Sequence, residues 1–441
     1  MQRLAKLMQS ILGSAMVLDT TKLVGKVICL VTSGNVGSNP RIIKEADALH
    51  AAGAIVHVIA MSAPQLPHVQ QRDDGVVDAA AWVCTRVSTG GQLWRVVKAV
   101  LNRIGLLAFK LGVNATPVIL WAYNPRIGDL TRAACAIPAD MYIAHNLAAL
   151  PAASRAAQRY QAKLGFDAED FHSGELTDSP ENAYKRAVIC TLERRFLPAC
   201  DYLTAAAPGI ARVYAKAYAL KTPSVILNVF SRVEAPEKVL AKGTSLQNVS
   251  LYWFSQTIGP DRGLETVVKA IALSASRPML YLRGSLVNDY KDKLEALARQ
   301  HGISKHLHFL APANPTEMAR LAAQHDVGIA SEVDTTLNRD ICLTNKIFTY
   351  LLAGIPILAS STTAQVELAQ DLNGAMWCYP QNDSQSLAEL IDKLLISDED
   401  LSQARQRAFS YGQNKFNWDV ESIKLLKIIL ECFEIKGGVA C

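Results

Sequence analysis

Leu343 to Ser360 reads LTNKIFTYLLAGIPILAS, and the rest of the chain can be placed around this stretch. Thr344 and Asn345 both suit a helix N-cap, and Ile347, Tyr350, Leu351 and Gly354 then fall on one helical face. Gly354 and Pro356 stop the helix, and Ile355 to Ser360 reads as a short buried strand. That order puts Lys346 in the first helical turn, beside free backbone N–H groups and the positive end of the helix dipole, a place that suits a phosphate or diphosphate. A capped core helix with a solvated lysine is the plainer reading of the same residues.

At 441 residues the chain is long for one domain, and two domains are expected. Half of its residues are hydrophobic, so a large core is available. Nine cysteines are scattered without a CxxC pair, which argues against a disulfide framework or zinc site and for a reducing compartment. Residues 1–240 hold 26 Lys and Arg against 18 Asp and Glu, whereas 241–441 hold 19 against 22. A basic first half suits an anionic partner such as a membrane surface, and nothing points to nucleic acid. The N-terminus makes a poor secretory signal because Gln9 and Ser10 interrupt its apolar run. It reads better as an amphipathic helix with Leu4, Leu7, Met8, Ile11 and Leu12 on one face. No uncharged run reaches the roughly 20 apolar residues of a membrane span, so the protein is expected to be soluble or peripheral.

Lys26 to Ser33 is an apolar β-branched run. The loop GNVGSNPR, a helix from about Pro40 to Ala52, and the strand AIVHVIAM follow, making a βαβ unit. The loop lacks GxGxxG spacing, but places Gly34 and Gly37 where backbone can approach a ligand and Pro40 in a first helical turn. Residues 63–90 read as irregular and polar. Gln92 to Gly112 is amphipathic, and either a core-facing helix with a wet face or a membrane-surface helix fits it. Met141 to Ala144 is a strand with His145 at its carboxyl end, where open α/β sheets bind ligands. Asp167, Glu169, Asp170, His172 and Glu175 crowd together shortly after, a polar density that packing does not explain. Residues 234–248 read as a linker. Alternating strands and helices then resume, giving a second doubly wound sheet, and Phe416 to Phe433 forms a long helix.

Three segments carry a resemblance to retaining glycosyltransferases of family 4: the loop with Ser38, Asn39, Pro40 and Arg41; the run from AHNLAALPAA to DAEDFHSGE; and NKIFTYLLAG. The resemblance implies a GT-B fold of two Rossmann-like doubly wound domains facing across a cleft. The acceptor-side domain would span 1–235, with the helix of 416–441 packed back on it, and the donor domain 236–415. It implies hexosyl transfer with retention from a nucleotide sugar to a glycan or lipid-linked acceptor, in surface polysaccharide or glycoconjugate assembly. The setting would be cytoplasmic, with peripheral contact at the inner face of the plasma membrane. It further implies donor diphosphate binding by Arg262, Gly263, Lys346, Asn345 and Thr344. An arginine at a helix head can take a diphosphate in bidentate fashion. Gln256, Glu332 and Thr349 would meet the donor nucleoside or sugar, and His145 the donor sugar. Glu169 or Asp170 would contact the acceptor, beside the loop residues Gly34, Gly37, Asn39 and Arg41. Neither a metal nor another cofactor is expected, since on this resemblance cations would neutralise the leaving group. The family's paired glutamates are replaced by Ile341 and Thr349. That departure supports a non-catalytic nucleotide-sugar-binding subunit as the alternative, ahead of a GT-B-fold sugar-nucleotide epimerase.

Overall fold

The computed structural model describes residues 18–62, 67–88, 90–240, 249–287 and 289–434. The amphipathic helix expected over Leu4–Leu12 lies outside them, as does the later part of the expected linker. The chain divides into two compact units, one of residues 1–226 with 422–441 and one of 227–421.

The first unit is built on seven parallel strands: β1 Val27–Thr32, β2 Ile55–Met61, β3 Val83–Val87, β4 Met141–His145, β5 Lys163–Ala168, β6 Tyr202–Ala205 and β7 Ser224–Val225, in the order β3-β2-β1-β4-β5-β6-β7. The β-branched run VICLVT makes β1 the centre, buried from Ile28 onwards as a parallel strand covered on both faces must be. The order reverses direction between β1 and β4, so their carboxyl ends flank a switch point. Lys22 Nζ reaches Glu434 at 2.5 Å and Lys26 stands over the Phe433 ring, fastening the end of the last helix, Trp418–Glu434, near the start of β1.

Two stretches differ from the sequence reading. Residues 63–90 are not irregular, since they hold a helix over Pro67–Ala79 and the edge strand β3. β3 has no buried position, so its sequence shows no alternation; its backbone pairing with β2 makes it a strand. The Gln92–Lys110 helix does not face the core with its apolar side. Lys98 and Asn102 point inwards, Lys98 to Pro125 O and Asp129, Asn102 to the carbonyls of Trp121 and Ala122 at 2.9 Å. Gly105 packs where a Cβ would lie 2.5 Å from Ala122 N. Leu93, Trp94, Val96, Val100, Ile104 and Leu107 are exposed.

The second unit carries six parallel strands: β8 Ser250–Ile258, β9 Met279–Leu286, β10 Leu307–Leu310, β11 Val327–Ala330, β12 Ile357–Ser360 and β13 Met376–Tyr379, ordered β10-β9-β8-β11-β12-β13. Its core gathers Trp253, Leu282, Ile329, Leu358 and the helix residues that cover them. The helix Asn345–Ala353 is buried from Lys346 onwards and leads into β12. It ends at Gly354, whose φ of +71° lets Gly354 N–H and Ile355 N–H bond back to the carbonyls of Leu351 and Tyr350. A Cβ there would come 3.1 Å from that of Phe409. Gly354→Ala should lower the stability of this unit by about 1–2 kcal/mol, the usual cost of a left-handed L-residue, read as an earlier urea midpoint in tryptophan fluorescence.

Candidate functional site

In the second unit, polar groups meet where β11 and two helices begin or end. Asp261 and Gly263 both have positive φ, at +59° and +68°, and turn the loop after β8 into the Leu264–Leu273 helix. Only glycine fits at 263, since a Cβ would lie 2.7 Å from Ser331 Oγ, which itself bonds the Arg262 carbonyl. Arg339 Nη1 donates to Asp261 O at 2.7 Å and braces the same loop. Arg262 is thereby presented at a helix N-terminus, with Nη1 3.4 Å from Glu332 Oε2. Lys346, in the first turn of the Asn345–Ala353 helix, donates from Nζ to Glu332 Oε1 at 2.6 Å and stands 5.4 Å from the Trp253 ring centroid. Burial works against the Glu332 charge, but Lys346, then Arg262, hold its carboxyl below the usual range. Thr344 is the N-cap, yet its side chain makes no cap bond, and Thr344 Oγ1 is buried without a hydrogen-bond partner among the described residues. Two cations thus meet at Glu332 beside a helix N-terminus whose cap side chain makes no cap bond, which is the equipment of an anion site.

The first unit holds a buried ionic cluster. Parallel register sets Thr32 beside His145, His145 beside Asp167, and Asp167 beside Thr204, one polar row across β1, β4, β5 and β6. From the helix Pro40–Ala51, Arg41 donates Nε and Nη2 to the two Asp167 oxygens and Nη1 to Ile226 O. One turn on, Glu45 Oε2 lies 3.1 Å from His145 Nε2. His145 Nδ1 faces Glu169 Oε1 at 3.2 Å and Asp167 Oδ2 at 3.4 Å. Carboxylates therefore lie within ion-pair distance of both ring nitrogens, an environment that favours the imidazolium, although Nε2 makes no hydrogen bond among the described residues. Burial opposes its charge, but Glu45, Glu169 and Asp167 push its pKa up to about 10. Burial likewise opposes the charge on Asp167, and Arg41 brings its carboxyl down to about 2.

The sequence shows no metal cluster, yet the fold brings Glu45, His145 and Asp167 to within 4.8 Å of one another, a spacing a metal ion could use. The donor set does not fit one. Arg41 and Thr204 Oγ1, at 2.6 Å, take the lone pairs of Asp167, and the guanidinium already supplies the cation.

The expected site residues divide accordingly. Arg262, Gly263, Thr344, Asn345, Lys346 and Glu332 come together in the second unit. Gln256 is exposed on β8. Thr349 is fully buried and its hydroxyl donates to Asn345 O, so it offers nothing to a nucleoside. Ile341 is buried as well. In the first unit, His145 is fully buried and Arg41 nearly so, which takes Arg41 out of the acceptor loop as a contact residue. Asn39 caps the helix Pro40–Ala51 and donates Nδ2 to Glu169 Oε1 at 2.7 Å. Glu169, 23% exposed, is the carboxylate of the cluster that reaches the surface. Asp170 is half-buried, and its carbonyl accepts from Tyr214 Oη. Gly34 is half-buried with its N–H near Thr32 Oγ1, and Gly37 is packed against Asp73. His172, from the same acidic run, accepts the Leu147 N–H at Nε2, and its Nδ1 lies 3.2 Å from Glu175 Oε2. Sequence reading missed Glu45. The available signal was a charged pair, Arg41 and Glu45, on the face that also carries Ile42, Ala46 and Leu49.

With both sites described, comparison places the fold. The chain matches the crystal structure of Anabaena Alr3699/HepE in complex with UDP and glucose at TM-score 0.66 and 14% identity, over 92% of this chain and 100% of that one. Sucrose-phosphate synthase from Thermosynechococcus elongatus matches at TM-score 0.67 and 13% identity, over 93% and 100%. WaaG, a glycosyltransferase involved in lipopolysaccharide biosynthesis, matches at TM-score 0.56 and 14% identity, over 91% and 99%. The fold is GT-B. Residues 249–397, most of the second unit, match the family described as "Glycosyl transferases group 1". No curated protein matches the chain in sequence.

His145→Gln removes the charge that Glu45 and Glu169 face, and should cost about 3–5 kcal/mol, as breaking a buried ion pair does. Because the folded pKa of His145 lies above its ordinary 6.5, the stabilisation is complete below that value and lost as pH rises through about 10. Thermal midpoints at neutral pH and near pH 10 check this, since the gap between wild type and His145→Gln should narrow at the higher pH.

Proposed function

We propose that this protein is a retaining glycosyltransferase of the family 4 type, transferring a hexose from a nucleoside diphosphate sugar to a glycan or lipid-linked acceptor in surface-glycan assembly. The observation that carries the reading is the anion site at the Asn345–Ala353 helix, where Lys346 and Arg262 converge beside the unpartnered Thr344 hydroxyl. The match of the second unit to group 1 glycosyl transferases supports it. So do structural neighbours solved in complex with UDP and glucose or involved in lipopolysaccharide biosynthesis.

Breaking the bond from sugar to diphosphate leaves negative charge on the departing phosphate. Two fixed cations and a helix N-terminus stabilise that charge as it develops, without reorganising at the moment of reaction. On this reading no metal ion is needed. The acceptor hydroxyl attacks from the face the diphosphate leaves, and its proton passes to the departing phosphate oxygen, so the chain supplies no separate base. Glu169, pinned by Asn39 and His145, orients the acceptor in the first unit.

The acceptor reading extends to lipid. The Gln92–Lys110 helix turns apolar residues outwards, with Arg95, Arg103 and Lys110 exposed among them. This pairing of apolar area and positive charge suits the interface of an anionic bilayer. Among the described residues no helix is long and apolar enough to cross a membrane.

The buried Thr349 and Ile341 favour one alternative, a non-catalytic nucleotide-sugar-binding subunit. Thermal denaturation with UDP, GDP, ADP, CMP and dTDP, followed by a turnover assay, separates the two. One diphosphate should raise the midpoint of the wild type and do so far less in Lys346→Ala and Arg262→Ala. Slow release of the sugar from the matching donor marks the enzyme, and binding without turnover marks the subunit. Sedimentation with vesicles containing about one-third anionic lipid should show Trp94→Glu/Leu107→Glu binding at least about tenfold more weakly than wild type, since acidic groups cannot enter the interface.

A further inference from the structure

The two cations share one carboxylate, that of Glu332. Glu332 follows β11, and its backbone is fixed: its N–H donates to Ser360 Oγ at 2.8 Å, and Ser360 Oγ donates back to the Glu332 carbonyl at 2.7 Å. Beyond that clamp, the hydrogen-bond and ion-pair partners of the side chain among the described residues are the two site cations, Lys346 at 2.6 Å and Arg262 at 3.4 Å, and the Arg339 guanidinium adds a further attraction. Lys346 and Glu332 are both nearly buried, so neither charge is left to water. A single carboxylate thus stands between Lys346 and Arg262, each at the start of a helix, where the proposed function puts a diphosphate.

We propose that Glu332 is an internal counter-anion of the diphosphate site: it occupies the cations when the site is free, is displaced by the incoming diphosphate, and returns as the nucleoside diphosphate product leaves. The inference rests on the donor-site reading above and adds what sets the site's affinity. Burying a lysine without a partner is costly, so a donor site that must stand ready needs an anion of its own. One carboxylate against two cations leaves a net positive site that still attracts a ligand. A ligand with a single negative charge gains little over Glu332, whereas a diphosphate brings more charge and more acceptor atoms to both cations, so the device favours diphosphate over monophosphate. Lys346 remains held against the Trp253 ring when the carboxylate departs, and Arg262 remains held by its loop, so the cations keep their positions for the ligand. The same competition weakens the hold on the product, whose release limits many enzymes of this size of motion.

The test is titration calorimetry of inorganic pyrophosphate and of inorganic phosphate into wild type, Glu332→Gln, Glu332→Asp and Lys346→Ala. Glu332→Gln keeps the shape and removes the charge, and should bind pyrophosphate about tenfold or more tightly than wild type, as loss of a competing unit charge a few ångströms away implies. Its preference for pyrophosphate over phosphate should shrink. Glu332→Asp should bind with an affinity between the two, and Lys346→Ala more weakly than wild type. Tightening marks a carboxylate that opposes the ligand's charge at the cations, whereas a Glu332 that only braced the site would lose affinity when replaced. Lys346-dependent binding in the wild type that is unchanged or weaker in Glu332→Gln overturns this inference and leaves the donor site standing. No pyrophosphate binding by any of the four proteins, or binding indifferent to Lys346, overturns both.

Discussion

Parallel strands in register carry whatever stands at their carboxyl ends into one transverse line, and much of the first unit follows from that. Thr32, His145, Asp167 and Thr204 form such a line at the switch point of the sheet. Two of the four ionise, and neither can be buried alone. The helix after β1 answers with Arg41 and Glu45, one turn apart, so that guanidinium, imidazolium and carboxylates satisfy one another under the strand ends. The arrangement also guards the register. Sliding β4 or β5 by a residue would turn its ionisable side chain to the other face and strand the partners in the core.

The second unit uses the same kind of chemistry with the opposite balance. In the first, Arg41 and His145 are matched by more carboxylates than cations, and only Glu169 has an outlet to solvent. In the second, two cations share one carboxylate, and the helix behind them keeps an uncapped first turn. A closed network of the first kind makes a rigid platform for its one accessible group. An unbalanced one of the second kind leaves positive charge at the strand ends that a ligand anion could answer.

The sequence made the β-α alternation legible because buried parallel strands read as unbroken β-branched runs, as in VICLVT and IVHVIAM. It made Lys346 legible because a helix start is announced by its cap and its stop by Gly354. It could not show that Arg41 turns inwards to Asp167, because a charged residue in a first helical turn looks the same whether it faces water or a carboxylate 126 residues away. The role of Thr349 was equally hidden, since burial of a hydroxyl depends on the strands packed beneath the helix. β3 and the helix before it were invisible for a different reason: with almost no apolar face, they are held by the pairing with β2 and by Arg86 against Asp73 and Asp74. For Gln92–Lys110 the amphipathic pattern was plain, but periodicity says that a helix has two faces and not which of them the neighbours take.

That outward-facing helix has a consequence for the protein as a material. A row of leucines, valines and a tryptophan with basic flanks, on a helix tied down by polar contacts beneath it, behaves as a surfactant grafted to a folded body. Exposed apolar area of this extent adsorbs to any interface on offer, whether an air bubble, a plastic wall, a detergent micelle or another copy of the chain. Yield and apparent size in dilute buffer will then report on the container and the additive as much as on the fold.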